Sequence, residues 1–131
     1  MRGASALEKV LKEEHSSRIR AFVVWEPVLW TDLGPPSTRK LASIPDARVA
    51  QYWDPKHLVS NLVTSSAWAE EEGILAQGER AGGKVVAWDL ILLFPPGSCG
   101  ENGLPEPAFH GDPVVTATRE AQDQLRALVH R

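Results

Sequence analysis

The chain lacks the features that mark disulfide-bonded, membrane-spanning and nucleic-acid-binding proteins. One cysteine, Cys99, stands among 131 residues, so no disulfide can form within the chain. The longest apolar stretch, Val85 to Phe94, is interrupted by Asp89 and is too short to span a bilayer. The net charge is −3, and no run of basic residues could follow a phosphate backbone. We therefore expect neither a membrane nor a nucleic acid as a partner.

The first residues also lack a secretion signal. The segment from Met1 to Glu14 mixes charges of both signs and has no apolar central region, so we expect a cytoplasmic protein. The length and the 43% hydrophobic content are those of one globular domain. We predict a single domain over residues 1–131, with residues 1–17 as an N-terminal helical extension.

Proline and tryptophan are abundant instead, and apolar residues recur at helical spacing. The 10 prolines predict stiff turns, and the 5 tryptophans predict a core or a groove rich in indole rings. Helical periodicity and capping residues predict helices over Ala6–Ser16, Ser37–Ser43, Ala67–Gln77 and Thr116–Arg131. A further helix is predicted after the cap Asp54 and Pro55, with Leu58, Val59, Leu62 and Val63 as its apolar stripe.

Four segments have the composition of β-strands. They are Arg18–Trp25, Arg48–Trp53, Lys84–Phe94 and Phe109–Val115. The first becomes continuously apolar after Arg20, which predicts a central strand covered on both faces. Gly78, Gly82 and Gly83 are predicted to end the helical region before the third strand. The last two strands are predicted to form a hairpin with a long loop.

The order of these elements predicts an α/β fold. Strand–helix–strand units imply parallel pairing with right-handed crossovers, and the final pair of strands implies antiparallel pairing. We predict a three-layer α/β/α sandwich in which a mixed sheet contains a βαβ unit followed by a ββα unit.

Three stretches resemble thioredoxin-like proteins, and the likeness covers about Arg18 to Arg131. Phe22 to Pro27 (FVVWEP) is similar to the first central strand of that family and the turn before its active site. Trp88 to Gly97 (WDLILLFPPG) resembles the strand and glycine turn of its C-terminal hairpin. Asp112 to Val115, leading into a leucine-rich helix, is similar to its last strand and helix.

The chain departs from that family where redox chemistry would take place. The resemblance implies a Cys-x-x-Cys at the start of the first crossover helix, where one thiolate attacks and the second thiol resolves the mixed disulfide. The matching stretch, Glu26 to Pro36, contains no cysteine. The family's proline before the hairpin strand is also absent from Ala87-Trp88-Asp89. The resemblance therefore implies a thioredoxin-like domain that is redox-inactive and needs no cofactor.

Acidic residues and one histidine follow the two predicted parallel strands. Glu26 and Asp32 follow the first strand, whereas Asp54 and His57 follow the second. Because ligands of open α/β sheets bind beyond the carboxyl ends of the strands, these four residues could hold a divalent cation or act as acid and base. Each also has a structural explanation: Asp54 as a helix cap, Glu26 as a loop residue, and His57 as a surface residue.

Four tryptophans, Trp25, Trp30, Trp53 and Trp88, are predicted at the same strand ends. They would either line an apolar groove for a ligand or fill the core beneath the loops. Trp30 discriminates best between the two, because a loop tryptophan has the least structural reason to be there. Trp68 is predicted to pack in the core.

Three functional hypotheses follow from these residues. The first is a non-enzymatic domain that binds a protein, a peptide or a small ligand at the strand ends through its tryptophans. The second is a metal-binding protein or an acid–base enzyme that uses Glu26, Asp32, Asp54 and His57. The third is a domain that forms a dimer through an exposed edge or apolar face. The absence of a recognisable catalytic motif favours the first.

Overall fold

The structure, a computed structural model, describes residues 2–74, 79–81, 84–100 and 103–131. The chain is mixed α/β, as its element order predicts. The described helices are α1 (Arg2–Glu13), α2 (Thr38–Leu41), α3 (Leu58–Thr64), α4 (Ala67–Glu71) and α5 (Val114–Val129). The described strands are β1 (Ala21–Trp25), β2 (Val49–Trp53), β3 (Glu79–Ala81), β4 (Lys84–Val86), β5 (Ile91–Leu93) and β6 (Phe109–Gly111). Within these ranges, no helix has both the length and the apolar character that a membrane span requires.

The strands pair two by two. β1 and β2 run parallel with Trp25 opposite Trp53, which confirms the predicted parallel unit. β5 and β6 run antiparallel with Leu92 opposite His110, which confirms the predicted long-looped hairpin. β3 and β4 form a further antiparallel pair.

Buried side chains form two hydrophobic clusters. The first cluster contains Leu11, Ile19 and Ile44, and packs α1 and the inner face of β1 and β2 against α5. The second cluster contains Val63, Trp68, Ala69 and Ile74, and packs α3 and α4 against residues that include Leu92 of β5. Trp68 is therefore a core residue, as predicted.

Helix α5 connects the two parts of the molecule. It packs against α1 and against both strands of the β5–β6 pair. The carboxylate of Glu14, just after α1, accepts hydrogen bonds from Gln122 at 2.7 Å and from Arg126 at 2.6 Å. These bonds lower the pKa of Glu14, that of Gln122 most strongly, and hold the end of α1 on α5.

The predicted strand Lys84–Phe94 is wrong as one element. It is divided into β4 and β5 by residues 87–90, where Asp89 has a φ of 51°. Aspartate tolerates this left-handed conformation, which a strand cannot contain. The residues of β3 were predicted to end a helical region. The predicted helical residues Leu75 to Gln77 and the glycines Gly78, Gly82 and Gly83 lie outside the described residues.

The expectation that β1 is covered on both faces is also wrong. Ala21 and Val23 face the first cluster, whereas Phe22 on the opposite face is 68% exposed and stacks on Tyr52 of β2 at 6.4 Å between ring centroids. Two other boundaries differ between the prediction and the structure. α1 begins at Arg2 rather than Ala6, and the segment Phe109–Val115 is a strand only as far as Gly111 because α5 begins at Val114.

Candidate functional site

The predicted site residues follow the carboxyl ends of β1 and β2, which lie side by side. The amide of Asp54 donates to the carbonyl of Trp25 at 2.8 Å, one step beyond the last pair of the parallel ladder. Glu26 and Asp54 therefore lie next to each other at the carboxyl ends of the two strands, which is where ligands bind in open α/β sheets.

Glu26 is the carboxyl group at this edge whose pKa is raised. Its Oε1 accepts the backbone N–H of Ser60 at 3.1 Å, while its Oε2 is buried and meets no hydrogen-bond donor within the described part of the chain. Burial raises the pKa of Glu26 above its usual value, and the neighbouring carboxylate of Asp54 raises it further, although the Ser60 amide and His57 act in the opposite direction. A proton on Glu26 would bond to Asp54, since two ionised carboxylates have no donor between them.

Asp54 and His57 shape the turn between β2 and α3. Asp54 is buried, and its Oδ2 accepts the amide of Val59 at 2.8 Å, so its carboxylate satisfies a free amide at the start of α3 as predicted. The prediction that Pro55 occupies the first helical position is wrong, because α3 begins only at Leu58. His57 directly precedes the helix with a φ of 56°, and its Nε2 lies 2.6 Å from the carbonyl oxygen of Pro27. The turn is thereby fixed to the loop that follows β1.

Ser60 joins three segments at this edge. Its amide binds Glu26, and its Oγ accepts the amide of Ala87 at 2.5 Å. Ser60 is buried although it lies in an exposed part of α3. The residue after β1, the start of α3 and the exit of β4 thus meet at one residue, and Trp88 follows directly on that exit.

The carboxylate of Asp32 forms hydrogen bonds within its own loop and is not joined to Glu26 or Asp54. Its Oδ2 accepts the amides of Leu29 at 2.9 Å and Val28 at 3.0 Å. These two bonds, with a smaller effect from Lys40 of α2, lower the pKa of Asp32. The loop is folded into a tight turn by this carboxylate, and Trp30 lies at its tip.

The four strand-end tryptophans differ in exposure. Trp25 and Trp53 are half-buried, and the indole N–H of Trp25 donates to Gln51 at 3.0 Å. Trp30 is 89% exposed and Trp88 is 42% exposed. Two are therefore packed against the sheet and two face solvent.

Helix α3 turns its predicted apolar stripe mostly outward. Of Leu58, Val59, Leu62 and Val63, only Val63 is buried, and Leu58 is 64% exposed. The hydrogen bonds of Ser60 to Glu26 and Ala87 explain this orientation, because they place Ser60 and Val63, one turn apart, on the inner face.

Exposed apolar side chains collect on the segments that Ser60 joins. We call this set the strand-end surface: Leu29, Trp30 and Leu33 from the loop after β1, Leu58 from α3, and Trp88. Leu33 is 94% exposed. Apolar side chains that form one continuous exposed patch mark a binding surface, whereas singly exposed leucines are ordinary.

The metal hypothesis receives no support from the geometry. Among residues 2–74, 79–81, 84–100 and 103–131, no group of three or more His, Cys, Asp or Glu side chains could hold a metal ion. Both oxygens of Asp54, Oδ2 of Asp32 and Oε1 of Glu26 accept backbone amides instead.

Open cavities lie elsewhere in the described part of the chain. One of about 400 Å³ lies beside Arg2, Ala6 and Val115, and one of about 380 Å³ is lined by residues that include Trp68 and His110. Neither cavity is lined by the strand-end tryptophans. Cys99 is an exposed free thiol in the loop after β5.

In comparisons with known proteins, no family model, no curated protein and no solved structure matches the chain.

Ser60 and the exposed leucines of the strand-end surface were not predicted from the sequence. A serine between Leu58, Val59 and Leu62 resembles the polar gap of an amphipathic helix, so its burial becomes visible only when Glu26 and Ala87 are placed beside it. The leucines of the loop had a signal. Leu29 and Leu33 flank Trp30 in a segment whose prolines and glycine exclude regular structure.

Proposed function

We propose that the chain is a redox-inactive, thioredoxin-like domain that binds a peptide segment of another protein at the strand-end surface. The observation that carries the proposal is Trp30, a tryptophan 89% exposed at the tip of a loop that Asp32 holds in shape. An exposed indole on a fixed loop loses little conformational freedom on binding, which is why tryptophans dominate binding energies at protein interfaces.

The fold supports this proposal through its topology. A parallel β1–β2 unit followed later by an antiparallel hairpin and a C-terminal helix is the order of thioredoxin-like domains, and we propose that the strand pairs belong to one three-layer sandwich of that kind. The redox-inactive part rests on the sequence, since the only thiol, Cys99, lies in the loop after β5 and not after β1.

The experiment is a selection of short random peptides on the purified chain, with Trp30→Ser as the counter-selected variant. Selected peptides should bind the wild-type chain and lose about tenfold or more of their affinity for Trp30→Ser, as expected for loss of a central interface tryptophan. Phe22→Ser is the matched control, because Phe22 is also an exposed aromatic residue but lies away from the strand ends. Peptides that bind Trp30→Ser as well as they bind Phe22→Ser would contradict the proposal.

A second candidate function, an acid–base enzyme, is favoured by one observation. The Oε2 of Glu26 is buried without a donor beside Asp54, and its pKa is raised, as general acids require. Any turnover found in a panel of hydrolytic and isomerase substrates should be lost in Glu26→Gln and kept in Asp32→Asn, since the Asp32 carboxylate serves its own loop. Turnover that survives Glu26→Gln excludes this candidate.

A further inference from the structure

Beside the strand-end surface, the basic side chains lack ion-pair partners among the described residues, whereas most of the acidic side chains accept hydrogen bonds from the protein. Three cations flank the segments of this surface in the chain: Arg39 and Lys40 in α2, which follows the loop after β1, and Lys56 in the turn before α3. All three are exposed, and none forms an ion pair with another described residue. Lys40 is close enough to the loop after β1 to act on Asp32.

The carboxylates of the same region are directed toward the protein instead. Glu26, Asp32 and Asp54 each accept backbone N–H groups, and Asp54 is buried. Asp89, next to Trp88, is exposed, and its Oδ1 lies 3.0 Å from the position of a β-carbon built on Gly3 of α1. Three exposed cations against this one exposed carboxylate leave the charge around the strand-end surface positive on balance, although the whole chain has a net charge of −3.

We infer that the partner segment is acidic as well as apolar: a peptide whose leucine or aromatic side chains contact Trp30, Leu33 and Leu58 while its Asp or Glu side chains pair with Arg39, Lys40 and Lys56. The inference rests on the proposed function and specifies the chemistry of its ligand. Charge complementarity of this kind selects among partners and accelerates encounter, while the apolar contacts supply most of the affinity.

The test uses three labelled peptides that share the apolar residues of one selected sequence and carry Asp/Glu, Asn/Gln or Lys/Arg at the remaining positions. Fluorescence anisotropy should show the acidic peptide binding about tenfold more tightly than the neutral one at low salt, with a smaller difference at high salt. The basic peptide should bind most weakly.

Charge reversals identify the cations responsible. Lys40→Glu and Lys56→Glu should each weaken the acidic peptide by about threefold or more and leave the neutral peptide unchanged, since they remove a charge pair and add a repulsion. Arg119→Glu, an exposed reversal on α5, is the matched control and should change neither. Circular dichroism of each variant verifies that the fold is kept.

The outcomes separate the two proposals. Equal binding of the acidic and neutral peptides, with both still dependent on Trp30, overturns the acidic partner and leaves the peptide-binding function intact. If no peptide depends on Trp30, both proposals fail together. Binding of single-stranded DNA or phosphatidylserine vesicles that is lost in Lys40→Glu but unaffected by Trp30→Ser would overturn the inference in favour of a general polyanion surface.

Discussion

At the scale of single residues, the clearest structural role belongs to Arg48. Its guanidinium group donates to the carbonyls of Leu11, Glu14 and Ser16 and pairs with both oxygens of Asp46, with the side chain 16% exposed. These carbonyls belong to the last turn of α1 and the residues after it, which have no partners within the helix. The hydrogen bonds that Asp46 accepts from the guanidinium group and the backbone amide of Arg48 lower its pKa to about 2.

Arg48→Met should therefore destabilise the chain by about 2–3 kcal/mol, because half-buried carbonyls and the Asp46 carboxylate lose their donors. Urea denaturation followed by circular dichroism measures this. Arg20→Met is the control: within the described part of the chain, Arg20 donates only to the nearby carbonyls of Ser17 and Ile19, and its loss should cost less than about 1 kcal/mol. Similar losses in the two variants would show that Arg48 does not hold α1 in place.

Glu26 makes the stability depend on pH in the opposite sense from a salt-bridged carboxylate. Its folded pKa is raised above the ordinary 4.5, so its contribution is fully present below 4.5 and is lost as the pH rises through the folded pKa. Glu26→Gln stays neutral and can donate to Asp54. It should exceed the wild-type chain in stability by about 1 kcal/mol at neutral pH, the net value of one hydrogen bond.

Thermal unfolding at a series of pH values measures that difference, which should shrink as the pH falls through the folded pKa of Glu26 toward 4.5 and stay constant below it. Glu120→Gln, an exposed change on α5, should leave the pH profile as it is. A wild-type chain that is more stable than Glu26→Gln at neutral pH would mean that the Glu26 carboxylate is well solvated or paired.

At the scale of elements, residue types predicted the features that depend on neighbours in sequence, such as the caps of helices. Ser37 caps α2 by accepting the amide of Lys40, and the Asp54 carboxylate accepts the amide of Val59 at the start of α3, both as expected from residue types. The face that α3 buries was not predictable in this way. Ser60 is turned inward by Glu26 and by Ala87, which are distant in sequence, and these bonds outweigh the apolar periodicity of the helix.

The candidate site was likewise predictable in part. Parallel pairing of β1 and β2 could be predicted, and with it the meeting of Glu26, Asp54 and His57 at one edge. The separation of Asp32 from this group could not, because a turn that closes on its own amides is as compatible with the sequence as a carboxylate facing its neighbours.

The contact between α3 and the exit of β4 gives a prediction at this scale. Ser60→Ala removes the acceptor of the Ala87 amide and should cost about 1–2 kcal/mol, the penalty for a buried N–H without a partner. Hydrogen exchange of the Ala87 amide should accelerate more than that of β6. Ser65→Ala, which removes only an exposed bond to the carbonyl of Leu62, is the control and should be nearly neutral. Equal effects of both changes would contradict the role of Ser60.

At the scale of the whole molecule, the two hydrophobic clusters should unfold together. Helix α5 contributes Leu125 and Val129 to the first cluster and also packs on β5, whose Leu92 borders the second. A chain of this length sits below the size at which separate cores become independent domains. A destabilising substitution in one cluster should therefore also lower the free energy of unfolding that is measured from amides in the other cluster.

Leu11→Ala tests this coupling, because Leu11 is buried in the first cluster and its truncation should cost about 3 kcal/mol. Native-state hydrogen exchange should show the amide of Ala69, in the second cluster, losing as much protection as the most protected amides of α1. Val63→Ala should have the reciprocal effect, and Leu58→Ala, on the exposed face of α3, neither. If Leu11→Ala accelerates exchange in α1 and α5 alone, α5 does not couple the clusters, and the strand-end surface would then be carried by a part of the chain that can open by itself.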